Sequence, residues 1–322
     1  MKFAYKLFIS FAAGIAAVST SFAQETAVLP ETSSFQFLNL HSSPRTAAMG
    51  GVVTGLSADA FAQLGNVAAV PYSDSRMALQ LDYNLWQPSI SGTNALALGG
   101  FFKIKKQFGV TFAVQTNIGK QYSVTVDPGM TVAYHNPIDF RAGAGFSWSP
   151  IRSLSVGVGL NYALSIPGPA NDIYKNTFMT FAADVQVIWH LEGILDLSVS
   201  GNNLGLPVKL TDGTAHPIPM NAKLGLGTDQ SFGRHKVAAA LEGGCFFAAN
   251  TSIFAGVGAE YTYNNMLSVR AGYHYGDGKE GLPSFASVGL GLRFFGITID
   301  FAYNIASGPM ANTLCAGLGF RF

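Results

Sequence analysis

From Met77 to the end of the chain, apolar and polar residues alternate in fourteen separate stretches. A period of two sends successive side chains to opposite faces of a strand. The pattern predicts strands over 77–86, 95–103, 107–117, 140–149, 153–164, 178–189, 194–202, 220–228, 235–244, 252–263, 266–275, 284–294, 296–304 and 313–322. A fifteenth candidate, Thr131 to Tyr134, is short and follows the turn signal Asp127-Pro128-Gly129, so it is assigned to a long loop. The last strand is the most regular. Leu314, Ala316, Leu318, Phe320 and Phe322 fall on one face, and Cys315, Gly317, Gly319 and Arg321 on the other.

The two faces differ in kind. Over 153–164 one face carries Leu154, Val156, Val158, Leu160 and Tyr162, and the other Ser153, Ser155, Gly157, Gly159 and Asn161. Over 266–275, Leu267, Val269, Ala271, Tyr273 and Tyr275 oppose Ser268, Arg270, Gly272 and His274. Charges keep to the small and polar face: Asp82, Arg141, Asp184, Asp196, Lys223, Glu242, Glu260, Arg270, Arg293, Asp300 and Arg321. On a lipid-facing surface an Arg or Lys costs ~2–4 kcal/mol near the midplane. Eleven charges of one parity therefore mark an interior face, with acids and bases nearly balanced.

The connections sort into two classes that alternate strictly. Lys105-Lys106, Pro150 to Arg152, His190 to Gly193, Asp229 to Arg234, Asn264-Asn265 and Phe295-Gly296 are short; 87–94, 118–139, 165–177, 203–219, 245–251, 276–283 and 305–312 are mostly longer. Tight periplasmic turns alternating with longer outer loops, on an even number of strands, describe a transmembrane barrel. A soluble sandwich has no reason to alternate in this way. The predicted fold is all-β: a fourteen-stranded antiparallel transmembrane β-barrel over 77–322, preceded by a segment over 24–76. Trp148, Trp189, Phe294 and Phe322 fit an aromatic girdle at the short-turn rim, and Tyr162, Tyr275 and Tyr303 the opposite rim.

Composition sharpens this picture. Charged residues make up only 11% of the chain, with 37 glycines and 12% aromatics, and a soluble domain carries about twice that charge. No stretch after residue 23 offers the ~18 consecutive apolar residues of a membrane helix. Met1 to Ala23 reads as a secretory signal peptide: Lys2 and Lys6 open it, Leu7 to Val18 is apolar, and Ser21-Phe22-Ala23 suits cleavage before Gln24. The alternative is an N-terminal anchor, for which the apolar stretch is short. The expected location is the Gram-negative outer membrane, reached by Sec export. Gln24 to Asp74 is too long for a simple tail and is expected to pack within or under the barrel as a plug; the alternative is a periplasmic extension.

Candidate chemistry is sparse. Net charge is +1, which offers nothing to nucleic acid. No nucleophile elbow, zinc-protease helix, paired C-x-x-C or Walker loop is present. His274, Asp300 and Ser287 could be gathered from separate strands into a hydrolase triad, yet inward polar residues more often form a hydrogen-bonded lumen. No enzyme activity, metal or cofactor is expected. Cys245 and Cys315 read as two small thiols, with a disulfide as the alternative. Glu260 and Arg270, Arg293 and Asp300, and Asp300 and Arg321 lie on neighbouring strands and form a candidate lumen charge network of structural pairs; a selectivity ring is the alternative.

Two resemblances extend the reading. The terminal strand, with Phe320 and the closing Phe322, resembles the last strand of bacterial outer-membrane barrels, which implies recognition by the barrel-assembly machinery. Ser33-Ser34-Phe35-Gln36-Phe37-Leu38-Asn39-Leu40, Arg45-Thr46-Ala47-Ala48-Met49-Gly50-Gly51, Asp59-Ala60 and Asn66 resemble the N-terminal segment of the PorV/PorQ family. Asn203-Leu204-Gly205, Pro217-Ile218-Pro219 with Lys223-Leu224-Gly225-Leu226, and Arg270-Ala271-Gly272-Tyr273 continue the resemblance. Val67 departs from it, standing where the family has Pro. That family belongs to type IX protein secretion in Bacteroidetes and is distantly similar to FadL fatty-acid channels. The resemblance implies an outer-membrane accessory that binds the type IX translocon or exported cargo proteins, with Arg45, Met49, Gly50, Gly51, Asp59 and Asn66 as a candidate plug motif. The alternative is a FadL-like channel for hydrophobic small molecules, with a lipid-like ligand in the lumen and outer-membrane lipid around it.

Overall fold

The computed structural model describes residues 33–88, 92–124, 133–169, 177–191, 193–209, 213–277, 280–306 and 311–322. The expected signal peptide and the first residues after it lie outside the described residues. Fourteen strands close into one barrel in which each pairs antiparallel with its neighbours. They are β1 Met77–Trp86, β2 Thr93–Lys105, β3 Phe108–Ile118, β4 Ile138–Ile151, β5 Leu154–Ile166, β6 Phe178–Leu191 and β7 Leu195–Gly205. The second half comprises β8 Asn221–Phe232, β9 His235–Phe246, β10 Ser252–Tyr263, β11 Leu267–Gly276, β12 Phe285–Phe294, β13 Ile297–Ile305 and β14 Thr313–Arg321. β14 pairs with β1 from Ala78 opposite Arg321 to Leu85 opposite Leu314, so no edge remains. Closure gives every strand a hydrogen-bonded neighbour on both sides, the condition for crossing a lipid core without helices.

Side-chain parity follows the sequence pattern. Leu267, Val269, Tyr273 and Tyr275 of β11 are exposed on the outer face, while Ser268, Arg270 and His274 are buried inside. None of the eleven inward charges is exposed. The short turns are built for reversal: Asn264 and Asn265 both take positive φ, as do Phe295 and Gly296. These backbone conformations match the twist of paired strands. The short candidate near Thr131 becomes a small hairpin, Tyr122–Val124 with Ala133–His135, standing outside the barrel sheet.

The lumen is filled by the chain's own beginning. Residues 33–76 run from the long-loop end to the short-turn end through two short α-helices, Pro44–Ala48 and Ala62–Gly65, and two 3-10 turns, Gln36–Asn39 and Val67–Tyr72. Near the outer loops Phe35, Phe37 and Leu38 pack with Ile218 and Met220. Near the periplasmic turns Phe61, Ala68 and Val70 pack with Phe101, Ala113 and Ile188. The lumen-facing glycines trace this path, because a Cβ there would collide with the segment. At Gly258 it would lie 2.4 Å from the Met49 carbonyl oxygen, at Gly272 2.2 Å from the Gly50 nitrogen, and at Gly157 2.5 Å from the Ala68 nitrogen. Small lumen residues thus mark backbone-to-backbone contact as well as empty space.

Candidate functional site

The lumen holds two unlike compartments. At mid-barrel and toward the short-turn end lies an ionic layer. Arg45, on the first lumenal helix, donates to both carboxylate oxygens of Glu260 at 2.9 and 2.6 Å. Arg270, one strand over, donates from Nε to the same carboxylate and from Nη1 to Asp300 at 2.6 Å. Arg45 also caps the Ser57 carbonyl at 2.6 Å. Two guanidiniums sharing one carboxylate is the arrangement that offsets the cost of burying all three charges. Removing one member leaves the others buried and uncompensated.

Other wall groups stitch the segment in place. Oε1 of Glu242 accepts from the Val53 and Thr54 amides at 2.8 and 2.7 Å and from the Thr54 hydroxyl at 2.8 Å. Its Oε2 meets Lys223 at 3.3 Å. Ser287 donates to the Ala48 carbonyl at 2.9 Å and accepts from the Gly50 amide at 3.1 Å. Gln63 accepts from Thr111 and donates to Asn161. At the outer mouth Glu280 accepts from the Ser33 amide and hydroxyl, both at 2.7 Å, and from Gln36 at 2.6 Å.

The second compartment is a cavity of about 110 Å³, measured as space open to the centre of a water molecule, on the outer side of the ionic layer. Leu38, Leu40, Leu64, Phe246, Phe254 and Leu282 line it on the apolar side. Phe246, Phe254, His274 and Phe285 form a file of rings with centroids 5.0, 6.3 and 5.1 Å apart. Arg141, Asp184, Lys223 and Glu242 line the polar side. These charges are matched: Arg141 faces Asp184 at 3.8 Å and donates to the Leu38 carbonyl at 3.2 Å. Asp184 also accepts from Asn161 and from the Asn203 amide, both at 2.7 Å. His41 projects from the lumenal segment into the same space. Burial, then the neighbouring His274, holds its imidazole down to a pKa of about 3, so it is neutral across the physiological range.

The residues singled out from sequence fall in several places. Met49, Gly50 and Gly51 form the turn pressed against β10 and β11, with positive φ at both glycines and Gly51 against the His41 ring. Asp59 accepts from the Ser43 hydroxyl at 2.6 Å and the Phe61 amide at 2.9 Å. Asn66 donates to the Val53 carbonyl at 3.3 Å. Val67 opens a 3-10 turn fully buried against the wall, without needing the proline. Glu260, Arg270 and Asp300 meet, whereas Arg293 and Arg321 hold no ion pair among the described residues. Instead Arg321 donates to the Ser75 hydroxyl at 2.8 Å.

Phe320 and Phe322 face outward at the short-turn rim, where Phe322 exchanges two backbone hydrogen bonds with Met77 at 2.9 Å. Ser287, His274 and Asp300 are not assembled as a triad: Ser287 is spent on the lumenal segment and Asp300 on Arg270. Both cysteines are free. Phe246 and Phe254 were missed from sequence. For Phe254 the signal was present, since a large ring at an inward position interrupts a face rich in Gly and small residues; Phe246 was hidden because the strand runs two residues past its predicted end.

A closed fourteen-stranded sheet, an apolar outer surface and a lumen occupied by the chain's own N-terminal segment define an outer-membrane barrel. Among solved structures, the chain is similar to the Pseudomonas putida toluene transporter TodX, with TM-score 0.61 and 14% identity over 87% of this chain and 98% of that one. It is similar to the Ralstonia pickettii toluene transporter TbuX, with TM-score 0.59 and 13% identity over 87% and 98%. A Pseudomonas aeruginosa FadL homologue matches with TM-score 0.54 and 14% identity over 87% and 95%. At these identities the likeness establishes the fold. No family model matches the chain, and no curated protein matches it.

The PorV/PorQ resemblance is corrected by these findings. Among the structures that share the fold over most of the chain are two toluene transporters and a FadL homologue. The type IX accessory role falls with it, as do the translocon and the exported cargo as partners. The physical reason is that the motifs carrying the resemblance are short, and their glycines and alanines sit where the lumenal segment packs against the wall. Any barrel whose lumen is packed by its own backbone needs such residues.

Proposed function

We propose that the chain is an outer-membrane channel for small, uncharged hydrophobic molecules. The observation that carries this reading is the outer cavity. It is apolar and aromatic on one side, and the charges on its other side are already paired with each other. It therefore asks for no counter-charge from a ligand. Its volume compares with the ~150 Å³ apolar cavity that admits benzene in another protein, so a single-ring or short-chain molecule fits. The names of the similar structures, toluene transporters among them, support the same class.

Under this reading residues 33–76, the described part of the segment over 24–76, are a plug. It fills the lumen below the cavity, so passage requires the Met49–Gly51 turn and its neighbours to shift, and the candidate motif residues Arg45, Met49, Gly50, Gly51, Asp59 and Asn66 set how firmly it is held. The test is uptake of toluene across asymmetric membranes with a lipopolysaccharide outer leaflet, where unassisted passage is slow. The expected result is faster uptake with the barrel present and no steady ion conductance. Uptake equal to that of protein-free membranes would overturn the reading.

A further inference from the structure

At the short-turn end the lumen opens into a second cavity, of about 100 Å³, with a charge imbalance the outer one lacks. Its wall carries the cations Arg45, Lys236, Arg270, Arg293 and Arg321 against the carboxylates Asp59, Glu260 and Asp300. The other cations around it are spoken for: Arg45 and Arg270 by Glu260 and Asp300, and Lys236 by Asp229 at 3.0 Å. Arg293 and Arg321 have no carboxylate within ion-pair distance among the described residues, and both point inward from strands that flank β13. Register places Arg293 opposite Thr298 and Thr298 opposite Gly319, two positions from Arg321. The two arginines thus sit on the strands to either side of Thr298, and all three line the cavity.

The surrounding rim repeats the sign. Arg76, Lys105, Lys106, Arg152 and Arg234 are exposed there, against Asp74 as the exposed acid among the described residues of that end. Such a predominantly positive mouth concentrates anions. The depth is also informative, because Arg293 and Arg321 each precede a girdle aromatic, Phe294 and Phe322. Aromatic girdles sit at headgroup level.

We propose that the short-turn mouth is a binding site for one phosphate-type oxyanion, held by Arg293 and Arg321 and drawn in by the rim cations. The planar fork of two arginines suits a tetrahedral oxyanion better than a halide. A phospholipid headgroup of the adjoining leaflet and free phosphate present the same chemistry.

The test uses the full-length mature protein purified in a neutral detergent. Inorganic phosphate, phosphatidylglycerol in mixed micelles, and chloride are titrated separately, and retained phospholipid is read by native mass spectrometry. The expected result is saturable binding of a phosphate-bearing probe that chloride does not displace. The double variant R293Q/R321Q should weaken that binding roughly tenfold or more, and R293K/R321K should fall between. Binding of phosphatidylglycerol alone assigns the site to a lipid headgroup, and binding of both assigns it to the oxyanion itself. No binding of either, or equal binding by R293Q/R321Q, overturns the proposal. Folding of each variant is checked by its heat-modifiable electrophoretic mobility, which the proposal expects to be unchanged.

Discussion

The two halves of the lumen are packed by opposite rules. In the ionic layer, Arg45, Glu260, Arg270 and Asp300 each meet a partner across strands or from the lumenal segment, and the segment backbone lies directly on wall glycines. In the outer cavity the wall retreats: rings from β9, β10 and β11 stand off from Leu38 and Leu40, and space for a small molecule remains. The first arrangement gives a rigid anchor and the second a receptive basin. A channel for uncharged molecules needs both, since a lumen packed throughout would admit nothing and one open throughout would leak ions.

The comparison breaks most severely if the anchor loses its shared carboxylate. Glu260→Ala leaves Arg45 and Arg270 buried without it and is expected to cost about 3–5 kcal/mol, read as a lower midpoint for guanidinium unfolding in micelles. A smaller effect is expected where the segment touches the wall. Gly272→Ala places a methyl group 2.2 Å from the Gly50 nitrogen and is expected to cost about 1–3 kcal/mol, with faster proteolysis within residues 46–55. Gly243→Ala is its control: the nearest atom to the added methyl is 4.0 Å away, so neither stability nor proteolysis should change.

In the basin, Phe254→Ala removes one ring from the wall and widens the cavity. The expected outcome is a loss of toluene affinity of about tenfold, equal to ~1.4 kcal/mol, with a gain for two-ring hydrocarbons in the same competition assay. The gentlest test is pH. His41 has its pKa lowered from 6.5 to about 3. Above pH 6.5 the imidazole is neutral in both folded and unfolded chains and contributes no pH dependence. Between pH 6.5 and about 3 the unfolded chain takes up a proton that the folded one refuses, so stability falls as pH drops through that window. His41→Asn should flatten this part of the stability profile.

Most of the barrel was legible in the sequence, because strand parity is local. Leu267 to Tyr275 alternates within nine residues, and lipid on one side leaves that pattern little latitude. Strand number, the two classes of connection and the inward placement of charges followed from the same rule. The partners of those charges did not follow. Arg45 reaches Glu260 across 215 positions of sequence, and Asp300 takes Arg270 from two strands away although Arg293 and Arg321 stand on the adjoining strands. Such choices depend on the tilt of the strands and the path of the lumenal segment, which no local pattern encodes. The family resemblance misled for a related reason. Gly50-Gly51 and Ala60 are dictated by close packing against a wall, and close packing is shared by barrels with different tasks.

The most direct test of the central claim is a crystal of the protein soaked in iodobenzene, with the iodine located by its anomalous scattering. The account predicts an iodine peak in the outer cavity, between Leu40 and the rings of Phe246 and Phe254, that is lost in Phe254→Trp. Iodine found only on the lipid-facing surface, with the outer cavity empty, would contradict it.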